Sequence, residues 1–105
     1  MKSLNALTAL RTEIGRTVRG EDLGPIESGA DGDGVVHSFS ARYFGDWEVP
    51  ADEDDDGDYD WKVPTAATVD RLNTLVNSMA RTHGVRLTWA NDGEKCWLTF
   101  MAHAR

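Results

Sequence analysis

Apolar residues recur at helical spacing in two stretches of the chain and alternate in several others. Near the N-terminus Leu4, Leu7 and Ile14 fall on one side of a short helix that Ser3 caps and Gly15 stops. A longer pattern covers about residues 66–83, where Val69, Leu72, Leu75, Val76, Met79 and Ala80 make one stripe behind a capping Thr65 and ahead of a terminating Gly84. An apolar stripe of this size in a small domain reads as the side facing the core.

Residues 35–44, VVHSFSARYF, follow a period of two: Val35, His37, Phe39, Ala41 and Tyr43 share one face, Ser38, Ser40 and Arg42 the other. Gly45-Asp46 then suits a tight type II′ hairpin turn into a short strand from Trp47 to Val49, which Pro50 ends. Tyr59, Trp61 and Val63 alternate again as an edge strand before Pro64. Val85, Leu87 and Trp89 alternate with Arg86 and Thr88, and a turn at Asn91-Asp92-Gly93 leads to residues 96–102, CWLTFMA, whose two apolar faces mark a central strand. Residues 20–34 hold five Gly and five acids and read as a linker. The sum is an α+β fold in a single small domain. An antiparallel sheet of about four or five strands packs against two helices and carries a long acidic loop.

That loop, Asp46 to Asp60, changes the picture most. Nine of the chain's eighteen acids fall in these fifteen residues, DWEVPADEDDDGDYD, with no Lys or Arg among them. Like charges at this density resist burial and hydrate strongly. Trp47 and Trp61 stand at its ends as apolar anchors able to hold its base against a core. The net charge of −7 conceals a sharper division, because residues 21–60 carry fourteen acids against the single base Arg42, and the rest of the chain carries ten bases against four acids. Charge segregated in this way steers partners of opposite sign, so the acidic side calls for a basic partner.

The length of 105 residues suits one domain with one core. A lone Cys96 in an apolar run closes no internal disulfide and reads as a buried, reduced thiol, which points to the cytoplasm. The N-terminus, MKSLNALTALRTEIG, is broken by Asn5, Thr8 and Arg11 and lacks a signal-peptide core. No run approaches the ~18 apolar residues of a membrane span. Arg11, Arg16 and Arg19 near the first helix read as solvated charges, with a basic arm touching nucleic acid as the sharper alternative. No nucleophile, base and orienter assemble from local spacing, and no glycine-rich stretch matches a phosphate-binding loop, so the chain reads as a non-enzyme.

Two ligand readings of the acidic run compete. Asp52-x-Asp54-x-Asp56-Gly57 matches the opening half of an EF-hand loop, but position twelve of that frame is Val63 instead of Glu, and Pro50 and Pro64 stand where helices are needed. A different calcium loop using Asp52, Asp54, Asp56, Asp58 or Asp60 remains open; otherwise no cofactor is expected. His37, His83 and His103 lack partners at zinc-ligand spacing. The second reading is mimicry of a nucleic acid. An extended chain spaces residues at roughly 3.3 Å, close to the ~3.4 Å between phosphates on one DNA strand. The residues carrying this are Asp46, Glu48, Asp52, Glu53, Asp54, Asp55, Asp56, Asp58 and Asp60, with Trp47, Tyr59 and Trp61 pinning the loop or anchoring the partner. The plain alternative is a solubilising acidic surface, on a free protein or on a structural subunit.

In size, acidity, single-domain α+β make-up and lack of an active site the chain resembles small phage-encoded inhibitors, particularly anti-CRISPR proteins. The resemblance covers the whole chain as a profile and rests on no shared motif, so no residue role is carried over. It implies a protein of the host bacterial cytoplasm that presents acids to the DNA-binding surface of a Cas effector subunit, touching neither nucleic acid nor membrane itself.

Overall fold

The computed structural model describes residues 2–31, 34–48, 62–91 and 96–103. The elements run α1 (Lys2–Gly15), a 3-10 turn (Gly20–Asp22), β1 (Glu27–Asp31), β2 (Gly34–Arg42), β3 (Trp47–Glu48), β4 (Val63–Pro64), α2 (Ala66–His83), β5 (Arg86–Asn91) and β6 (Trp97–His103). Four strands form one antiparallel sheet in the order β1-β2-β6-β5, and β3 pairs with β4 in a separate two-stranded ribbon. The fold is α+β.

Both helices cover one face of the sheet. Ala6, Leu7, Leu10 and Ile14 from α1 and Leu72 and Val76 from α2 close over Phe39 and Ala41 of β2, Leu87 of β5 and Leu98, Phe100 and Ala102 of β6. Phe39 and Phe100, directly paired across the ladder, stack with ring centroids 4.9 Å apart. The two apolar faces read for β6 have a structural cause: it lies between β2 and β5, with alternate residues buried. No helix among the described residues is long and apolar enough to cross a membrane.

Helix α2 has the expected bounds. The Thr65 hydroxyl accepts from the Thr68 amide, and Gly84 closes the helix in the left-handed conformation at φ 66°. Helix α1 differs from expectation at its start, because it begins at Lys2 and takes Ser3 into its first turn, where Ser3 is buried on the same face as Leu7, Leu10 and Ile14. Leu4 lies to the side of that stripe and is half-buried.

Two expectations about strands are corrected. The supposed linker at 20–34 contains β1, an edge strand whose pairing with β2 is made by backbone groups that Gly and Ser supply as well as any residue. Upstream, Leu23 bridges Ala41 and the Gly24 amide donates to Ser40 O at 2.7 Å, so the chain already follows β2 there. Four residue steps from Leu23 to Glu27 match three from Ala41 to Ser38, a bulge around Pro25, which has no amide to donate. The second correction concerns Gly45-Asp46. Gly45 has a positive φ of 72°, but β3 does not fold back on β2; Trp47 pairs with Pro64 and Glu48 with Val63. The expected edge strand around Tyr59 to Val63 is represented by Val63 in β4, on this ribbon rather than on the main sheet. Tyr59, Trp61 and the turn residues Asp92 and Gly93 lie outside the described residues.

Candidate partner-binding surface

The base of the acidic run is built from Asp46, Trp47 and Glu48. The Asp46 peptide is clamped to the start of α2: its amide donates to Thr68 Oγ1 at 2.8 Å, and its carbonyl accepts from Thr68 Oγ1 at 3.0 Å and from the Thr65 amide at 3.0 Å. Gly45 makes this approach sterically open, since a Cβ there would meet Thr68 Oγ1 at 2.6 Å. Trp47 packs against the core, with its indole N–H donating to Phe44 O at 3.0 Å. The side chains of Asp46 and Glu48 face solvent. Because β3 and β4 pair, the segment between Glu48 and Lys62 leaves and rejoins the body at one place. Asp52, Glu53, Asp54, Asp55, Asp56, Asp58, Tyr59, Asp60 and Trp61 lie outside the described residues, as does every side chain of the calcium reading. Among the described residues no group of three or more His, Cys, Asp or Glu is arranged to hold a metal ion.

Next to this base, the sheet ends in a feature that alternation does not predict. Tyr43 should continue the buried face of Phe39 and Ala41, yet it adopts φ 64° and is 53% exposed, while Phe44 takes the core position at 2%. The left-handed residue shifts the strand's phase by one. Across from it Cys96 is also left-handed, at φ 65°, and its carbonyl accepts the Tyr43 amide at 3.1 Å. Tyr43 thereby joins the open face, where the Arg42 guanidinium lies over its ring at 4.8 Å and over the Trp97 ring at 5.2 Å. The buried Asp22, presented by the 3-10 turn, holds Arg42 through an ion pair of 3.3 Å. Desolvation pushes the Cys96 thiol above its ordinary range, and Lys62 and Arg42 lie near enough to oppose that shift.

Arg11, Arg16, Arg19, His37 and His103, near α1 and on the sheet, have local partners. Arg11 Nε donates to Gly24 O at 2.7 Å, Arg16 pairs with Glu13 at 3.4 Å and Arg19 with Glu21 at 3.7 Å. His37 Nδ1 shares a 2.6 Å hydrogen bond with Ser28, and His103 Nε2 one of 3.1 Å with Thr88. On the helical side an open groove of about 500 Å³ runs past Glu13, Phe44, Asp70 and Leu75, with Arg71 stacked over the Phe44 ring at 4.7 Å.

The chain was compared with family models, curated proteins and solved structures. None matches.

Proposed function

We propose that this chain is a non-enzymatic acidic binding protein that occupies a basic, nucleic-acid-binding surface on a partner protein, in the manner of an anti-CRISPR protein or another DNA mimic. One observation carries the reading: nine acids and no base between Asp46 and Asp60, in a run whose first residues, Trp47 and Glu48, pair with Pro64 and Val63 shortly beyond its end. Proteins that bind DNA draw much of their affinity from Lys and Arg that neutralise phosphates and release counterions. A run this dense in carboxylates, entered and left through the β3–β4 ribbon, offers the same counter-charge to such a surface. Trp47, held by the core and by its bond to Phe44, supports pinning as its role over direct contact. A Cas effector subunit in a bacterial cytoplasm is the partner that the profile resemblance suggests.

The test is capture on the immobilised protein from bacterial lysate at low and high salt, with bound proteins identified by mass spectrometry. The reading expects a nucleic-acid-binding protein that added DNA displaces and that high salt releases. Capture that survives high salt and DNA competition, or no capture at either salt, contradicts it.

A further inference from the structure

We infer that the chain forms a two-fold symmetric dimer in which β5 of one copy pairs antiparallel with β5 of a second, joining the two sheets edge to edge. This pairing does not depend on the acidic run. The sheet has two edges, β1 and β5, and they are built differently. Strand β1 is blunted in the ways that keep an edge from recruiting other strands: Glu27 and Asp31 stand at its ends, Gly29 at its middle, and the bulge around Pro25 just ahead of it. Strand β5, RLTWAN, has no Gly, Pro or bulge, pairs with β6 in unbroken register over all its residues, and carries its one charge at its first position, Arg86. Among the described residues no strand lies on its outer side.

Hydrogen bonds elsewhere in the sheet fix which backbone groups face that outer side. Successive residues of a strand turn their N–H and C=O to opposite sides. Ser40 O accepts from Gly24 on the β1 side of β2, so Phe39 and Ala41 turn theirs to β6, and the Tyr43 amide bonding to Cys96 O agrees. Carried through the registers Phe39↔Phe100 and Thr88↔Met101, this gives Arg86, Thr88 and Ala90 to the ladder with β6 and points the N–H and C=O of Leu87 and Trp89 outward. Such an edge takes another strand. The side chains of the same two residues pack on the core, and the Trp89 indole N–H donates to Asn73 Oδ1 at 2.9 Å, which fixes the strand that presents these groups. A second copy fits because β5 is self-complementary about Thr88. A two-fold centred there sets Leu87 of each copy against Trp89 of the other, each pair exchanging two hydrogen bonds, with Thr88 beside Thr88. Arg86 then falls across from the small, exposed Ala90, and the two Arg86 side chains stay at opposite ends of the interface. Charge favours this edge as well: β5 holds no acid, so two copies of net charge −7 meet where neither presents a carboxylate from the strand.

Sedimentation equilibrium of the full chain measures the dimer at physiological ionic strength, where repulsion between the copies is largely screened beyond about 8 Å. Ala90 is exposed, so substitutions there leave the fold intact, and in this register each new side chain meets Arg86 of the other copy. Ala90→Arg should weaken dimerisation and Ala90→Glu should tighten it, each by about three- to ten-fold, because the dimer contains two such cross-strand pairs. Net charge alone would act the other way, since Ala90→Arg lowers the chain's negative charge and Ala90→Glu raises it. A chain that stays monomeric at millimolar concentration, or a dimer whose strength the two substitutions do not move in these opposite directions, overturns the β5 pairing and leaves the acidic-surface reading standing.

Discussion

At the scale of single residues, four described positions are left-handed: Gly84, which closes α2, and Tyr43, Gly45 and Cys96 at the end of the sheet. Gly45 is required by contact as well as by φ. Gly45→Ala should destabilise the fold by at least ~2 kcal/mol in urea unfolding, through backbone strain and collision with Thr68. Thr68→Ala should cost less in the Gly45→Ala background than in the wild-type chain, because it removes the colliding Oγ1 and Cγ2 along with the hydroxyl's bonds to Asp46; strict additivity of the two changes would contradict the clash. Cys96 gives a pH dependence with a definite sign. Burial raises its folded pKa, so the thiol's contribution is complete below the unfolded thiol range near pH ~8.5 and is lost as pH rises through the folded value. Stability should therefore decline on the alkaline side, and Cys96→Ala should flatten that decline; an unchanged slope contradicts the assignment. Tyr43 shows what strict alternation misses: nothing in VVHSFSARYF distinguishes a strand that runs on from one whose phase a left-handed residue resets.

At the scale of elements, legibility followed the amount of side-chain information that each element carries. Helix α2 could be read to the residue because Thr65, Gly84 and the stripe around Leu72 and Val76 agree. Strand β6 announced its central position by apolar residues on both faces. Strand β1 was invisible, since Glu27-Ser-Gly-Ala-Asp31 has neither an apolar face nor β-branched residues and is held by the backbone of β2. The ribbon was misassigned because Gly45 reports that the chain bends and says nothing of which strand it then meets. Phe100→Ala should cost about 3–5 kcal/mol because the ring is fully buried against Phe39. Thr99→Ala, on the opposite face of the same strand, should cost less than about 1 kcal/mol. Comparable losses would mean that the open face is covered by something else in solution.

At the scale of the whole molecule, charge is divided between an acidic middle and basic flanks, and the ribbon pairs Trp47 and Glu48, at the start of the most acidic segment, with Pro64 and Val63. The charge division was plain in the sequence, whereas the sequence left Trp47 either to pin the run or to anchor a partner; in the structure it packs against the core. The aromatic cluster at Tyr43 and Trp97 was not legible there, because it depends on register: Arg42 pairs with Trp97, fifty-five positions away in the chain. The competing calcium reading predicts a rise in Tm at millimolar calcium that Asp54→Asn abolishes; the acidic-surface reading predicts no such shift. The most direct test of the central claim replaces Asp54, Asp55 and Asp56 by Asn and measures both Tm and salt-dependent capture of the nucleic-acid-binding partner. The account predicts an unchanged Tm together with a steep loss of capture at low salt. Capture equal to that of the wild-type chain would contradict it.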